Sequence, residues 1–69
     1  MKVRWEDGFQ IRVGVRDGGV TVSANREGLL SLSRICADLA QERPDSHIHL
    51  DENNSLEEGS ADLIVEKIE

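Results

Sequence analysis

One stretch restricts this chain more than any other. Between Asn25 and Gln41 the apolar residues Leu29, Leu32, Ile35, Cys36, Leu39 and Ala40 return at helical spacing. At 100° per residue they fill a stripe roughly 140° wide, so the segment predicts an amphipathic helix. No other segment is long enough to make a second one. The other elements must pack against this stripe, and a chain of 69 residues has little surplus with which to do it. At that length only about 60% of the surface exposed on unfolding becomes buried. With one Trp, one Phe and no Tyr, the core must be aliphatic.

The ends of the helix can be read from side-chain chemistry. Asn25 is placed to cap it, its side-chain oxygen accepting from a first-turn N–H that has no intrahelical partner. Glu27 sets negative charge near the positive end of the helix dipole. Gly28 is out of place by propensity, since glycine costs up to ~1 kcal/mol inside a helix. Close approach of another backbone is a reason to keep it. Pro44 disfavours helical geometry at Arg43 and so stops the helix before it.

The flanking segments alternate with period two, the pattern of half-buried strands. Val3 and Trp5 oppose Lys2 and Arg4. Phe9, Ile11, Val13 and Val15 alternate with Gln10, Arg12, Gly14 and Arg16. Val20, Val22 and Ala24 alternate with Thr21 and Ser23. Asp7-Gly8 and Asp17-Gly18-Gly19 separate these runs, and such residues tolerate the positive φ of tight hairpin turns. After the helix, Ile48 and Leu50 point to one side of a short strand and His47 and His49 to the other. Asp51 to Ser60 is a polar loop with Leu56 as its apolar anchor. In the last segment Leu63 and Val65 share one face and Ile64 and Ile68 the other, and the pattern does not choose which faces inward. The expected fold is α+β, in the order β-β-β-α-β-β: one mostly antiparallel sheet with the single helix packed on one face, a single small domain over residues 1–69. Leu29, Leu32, Ile35, Cys36 and Leu39 are its expected structural residues, with Asn25 and Gly28 at the helix start.

Charge narrows the function. Fourteen acidic residues against eight basic ones leave a formal net charge of −6. Nucleic acid needs Lys and Arg for its phosphates, and an anionic membrane repels such a chain. A basic protein partner suits it, because complementary fields speed association. The one cysteine, Cys36, allows no internal disulfide. On the apolar stripe it reads as a buried, inert thiol. No signal peptide and no apolar run near ~18 residues is present, so the expectation is a cytoplasmic protein.

Three patterns could carry chemistry. His47, His49 and Asp51 share one face of a strand, and His-x-His is a zinc-ligand spacing, but no fourth ligand can be named. The plainer reading is that both histidines decorate an outer face, and no metal or other cofactor is expected. Asp51, Asn53, Ser55 and Asp62 fall at positions 1, 3, 5 and 12 of a calcium-loop pattern, yet Leu56 stands where the sharp turn needs glycine. For an enzyme, serines are present, but no elbow, phosphate loop or paired-carboxylate motif surrounds them. So thin a core also leaves little room for a pocket of ~300 Å³ or more. The chain is expected not to be an enzyme.

Three segments, in order, carry a resemblance: Asn25-Arg-Glu-Gly-Leu-Leu-Ser-Leu, His47-Ile-His-Leu-Asp51 and Leu56-Glu-Glu-Gly-Ser-Ala-Asp-Leu-Ile64. Together, over roughly residues 10 to 68, they resemble the bacterial immunity proteins of the immunity protein 32 family. Ser33 and Cys36 depart mildly from the small or aliphatic residues expected in the helix. The resemblance implies a binder that neutralises a toxin of a polymorphic toxin system, encoded by a neighbouring gene. It assigns no site residues. Among the matched positions His47, His49 and Asp51 lack a structural explanation. With Glu52, Glu57 and Glu58 they are the nominated partner-facing surface, against the alternative that they satisfy local backbone groups. The other functional expectations are self-association into a homodimer through an exposed sheet edge, and a metal-binding module around His47 and His49.

Overall fold

In a computed structural model of the chain, which describes residues 1–69, five elements follow one another. They are β1 (Ile11–Arg16), β2 (Gly19–Ala24), α1 (Arg26–Ala40), β3 (His47–Leu50) and β4 (Leu63–Glu66). The class is α+β. β1 pairs antiparallel with β2, and β3 with β4, as two separate two-stranded sheets. The strand expected at Met1–Trp5 does not form, and the sheet expected as one is divided.

Both corrections have a physical cause. In the first hairpin Asp17 and Gly18 both take positive φ, 51° and 78°, the type I′ pattern whose twist suits paired strands. At Asp7-Gly8 only Gly8 does, at 80°, closing a turn in which the Phe9 N–H bonds the Glu6 carbonyl at 3.2 Å. Positive φ at the third turn residue alone is the type II pattern, which does not feed a hairpin. The chain before it crosses toward the helix, with Trp5 stacked on Phe9, ring centroids 4.4 Å apart. The edge of β1 away from β2 is also already taken. Glu57 and Ala61 donate their N–H groups to the Ile11 and Val13 carbonyls, at 2.9 and 2.8 Å. The Ser60 hydroxyl accepts from the Val13 N–H at 3.1 Å. The segment from Glu57 to Ala61 thus bridges the two sheets, and its side-chain bond stands where a regular ladder would continue.

The core is aliphatic: Ile11, Val13, Ile35, Ile48, Leu50 and Leu56 are buried together, with Val3, Trp5, Phe9, Leu32, Leu63 and Val65 packed around them. The last strand turns Leu63 and Val65 inward and leaves Ile64 and Ile68 exposed. The helix uses only one edge of the stripe read from its sequence, Ile35 and Leu39 with Leu32 beside them. Its buried residues are Gly28, Ser31, Ile35 and Leu39. Leu29 is exposed, Cys36 is an exposed thiol and Ala40 is exposed, while Leu32 is half-buried. At 100° per residue the inward face lies roughly 70° from the apolar stripe.

The N-terminal segment causes this rotation by lying along the flank that carries Ser31, Arg34 and Asp38. The Glu6 N–H donates to the Ser31 hydroxyl at 2.9 Å. Arg34 pairs with the Glu6 carboxylate at 2.7 Å, and Arg4 with Asp38 at 3.5 Å. Ser31 in turn donates to the Glu27 carbonyl at 2.8 Å, so this fully buried hydroxyl is satisfied twice. Ser31→Ala should therefore cost about 1–3 kcal/mol by orphaning the Glu6 N–H. Urea denaturation of the variant measures it, and Ser31→Thr should lose less.

Asn25 ties the helix start to the same segment. Its side-chain oxygen accepts from the Gly28 N–H at 2.8 Å and from the Gln10 N–H at 3.0 Å. Its amide nitrogen donates to the Gly8 carbonyl at 2.9 Å. At the other end Lys67 donates to the Ala40 and Glu42 carbonyls, at 2.9 and 2.7 Å. It supplies the cation that the last helical turn lacks and that the dipole favours there.

Candidate functional site

The β3–β4 register decides which polar side chains meet. His47 lies opposite Glu66, His49 opposite Ile64 and Leu50 opposite Leu63. Ile48 and Leu50 are buried, so His47, His49, Ile64 and Glu66 share the outer face. One step past the paired residues, Asp51 and Asp62 flank the end of the ladder. The His49 Nε2 sits 2.8 Å from an Asp62 oxygen and 4.0 Å from an Asp51 oxygen.

Asp51 is held by its loop. Its other oxygen accepts from the Asn53 N–H at 2.9 Å, and its carbonyl accepts from the N–H groups of Asn54, Ser55 and Leu56. Asn54 returns bonds to the Asp51 N–H and the His49 carbonyl. Leu56 is buried beneath the loop. The polar loop is thus a compact turn that fixes the carboxylate, as asparagine and aspartate commonly do for their own backbone.

The nominated residues do not form one cluster. His49 and Asp51 come together and Asp62 joins them, with their ligand atoms within 4.8 Å of one another. His47 is outside that group. It borders an open depression with Met1, Leu39, Glu42 and Ser46, so the metal alternative centred on His47 and His49 has lost one of its two histidines. Of the calcium pattern, Asp51 and Asp62 meet but Asn53 and Ser55 serve the loop. Glu52 accepts from the Gly59 N–H at 2.8 Å. Glu57 lines a second open depression with Gln10, Arg12, Ser23 and Asn25. Glu58 is exposed beside Arg12, which bonds its carbonyl at 3.0 Å.

Asp62 is the residue that sequence reading left out of the surface. The signal was available only through the register, since residues 51 and 62 become neighbours once Leu50 faces Leu63. Asp51, Glu52, Glu57, Glu58, Asp62, Glu66 and Glu69 all follow the helix, and Lys67 is the only basic residue among the last nineteen. The ammonium of Lys67 is bound to helix carbonyls, and Arg12 of β1 lies beside Glu57 and Glu58, so the carboxylates of Asp51 and Asp62 have His49 as their neighbour rather than a Lys or Arg. The ensemble can attract a cationic surface and offer it carboxylate and imidazole acceptors.

The model of the family described as Immunity protein 32 matches residues 19–68. The chain belongs to the immunity protein 32 family. The match runs from β2 through α1 and β3 to β4, and so takes in His47, His49, Asp51 and Asp62. No curated protein and no solved structure matches the chain. Immunity proteins as a class act on a protein partner and are not generally enzymes, which agrees with the coarse reading of the charge. No helix is long and apolar enough to cross a membrane.

Proposed function

We propose that this immunity-family chain binds a cognate bacterial toxin and blocks it by occlusion. The contact is made through the group of His49, Asp51 and Asp62, with Glu57 and Glu58 as separate charges that act on the encounter. The observation that carries this reading is the concentration of exposed carboxylates after the helix, with Lys67 tied away from them. A basic toxin surface is the complement of such a face. Held carboxylates such as Asp51 lose less freedom on docking than free ones.

The test is calorimetric titration with an inactivated form of the toxin encoded beside this chain. One-to-one binding is expected, weakened by Asp62→Ala and by His49→Ala. Charge reversal at Glu57 and Glu58 should slow association about tenfold at low salt and flatten its salt dependence, because peripheral charges act chiefly on the encounter rate. Absence of binding would remove the inhibitor reading. Unchanged association rates in the reversed-charge variant would remove its electrostatic part. Added chelator should leave the affinity unaltered; a loss would instead assign the His49, Asp51 and Asp62 group to a metal.

A further inference from the structure

From the free edge of β2 we infer that two copies of this chain pair antiparallel, strand β2 against strand β2, into one continuous four-stranded sheet. The inference does not depend on the toxin-binding reading. β2 reads Gly-Val-Thr-Val-Ser-Ala, without a charge or a proline. All of it but Ala24 is exposed, and it bonds to no segment beyond β1. Exposed edges are normally guarded by lysine, proline or a covering loop, because an open row of N–H and C=O groups is a template for another strand. The edge of β1 is covered by Glu57–Ala61, and that of β2 is not.

The register shows which groups are open. The type I′ turn makes Arg16 and Gly19 a hydrogen-bonded pair, so bonded pairs recur at Gly14–Thr21 and Arg12–Ser23. Ile11 and Val13, in the alternate positions, send their carbonyls the other way, to Glu57 and Ala61. By the same alternation Val20, Val22 and Ala24 direct their N–H and C=O groups to the free edge.

A second copy is the occupant that fits these groups. Pairing about a two-fold axis at Val22 sets Val22 against Val22 and Val20 against Ala24, each pair exchanging both backbone bonds. The other face then pairs Thr21 with Ser23, a favourable hydroxyl match. Val15, Val20, Val22 and Leu29 are 64, 63, 39 and 56% exposed, an apolar surface that one copy cannot cover. The helix lies on the same face as Ile11 and Val13 and leaves β2 directly after Ala24. In the paired arrangement the first helical turn of one copy, with Leu29, therefore comes over Val20 of the other. Charge agrees: at −6 per chain two copies repel across most surfaces, and this strand carries none. A basic partner would gain nothing from it electrostatically. The acidic face at β3 and β4 stays open in each copy.

Sedimentation equilibrium from micromolar to millimolar concentration tests the pairing, with amide hydrogen exchange at both ends of the range. The expected mass rises from 7.7 kDa toward twice that value. Val20, Val22 and Ala24 amides should gain protection with concentration, while those of Thr21 and Ser23 are protected throughout. Val20→Lys should hold the mass at the monomer value. Val22→Pro should do the same, since it deletes an outward N–H and no β1–β2 bond. Ile64→Lys, at an exposed apolar site on β4, should still pair. A monomer at every concentration with those three amides unprotected overturns the inference. So does a dimer that survives both β2 variants, or protection that appears only when inactivated toxin is added.

Discussion

Gly28→Ala destabilises the fold by about 3 kcal/mol, at the upper end of what overpacking usually costs. The expectation runs against propensity, because alanine in an ordinary helix position gains up to about 1 kcal/mol over glycine. The reason is the space around residue 28. An added Cβ would collide with the backbone carbonyl oxygen of Gln10, and it would lie 3.0 Å from both the Ala24 Cβ and the Ile11 side chain. None of these is the far end of a flexible chain. Gln10 is fixed by its bonds to Asn25, and Ile11 is fully buried. Relief would require the helix start to lift from β1, breaking the Asn25 cap. For a domain of this size the melting temperature should fall by more than about 10 °C. A thermal melt decides it, and a variant as stable as the parent would mean that helix and strand do not meet there.

That position shows what could be read from sequence and what could not. A glycine in the first helical turn signalled close backbone approach, but not that the approaching atom belongs to Gln10. The Asp17-Gly18 hairpin was legible because the turn residues and the flanking alternation agree. Met1–Trp5 alternated equally well, yet alternation reports only that one side is buried. Val3 and Trp5 do pack on the core; they do so beside the helix. What excludes them from β1 is competition from Glu57–Ala61, a segment with little apolar pattern whose role rests on two backbone bonds and the Ser60 hydroxyl. Such partners are invisible in a local window.

The candidate surface was legible in part for the same reason. His49 and Asp51 are near in sequence and stay near in space. His47, equally near in sequence, falls outside their group. Asp62 enters through strand pairing, and Lys67 leaves the surface for the helix end. Glu52 was nominated for its charge, and its carboxylate serves the Gly59 N–H. Composition gave the sign of the charge; register and capping decide where it is displayed.

The rotation of the helix gives the second large effect. Ile35→Ala and Leu39→Ala each remove a side chain at least 96% buried (2 and 4% exposed), and each should cost about 2–5 kcal/mol. A domain of this length holds roughly 3–10 kcal/mol in all, so either variant can be largely unfolded at room temperature. Leu29→Ala removes a side chain of the same size from an exposed site and should change stability by no more than about 0.5 kcal/mol. Cys36→Ser should be as mild, since the thiol is exposed. The apolar stripe alone would rank Leu29 and Cys36 with Ile35. It fails because hydrophobic periodicity locates the face that has apolar residues, whereas burial follows the face that other segments cover. Here the Ser31 side is covered by the N-terminal segment, through the Glu6 bond to Ser31 and its pairing with Arg34, and Leu29 is left exposed. Urea midpoints at constant slope separate the two faces. Equal losses at Leu29 and Ile35 would return the helix to its sequence stripe, whereas a large gap between them keeps Leu29 free for a contact outside the monomer.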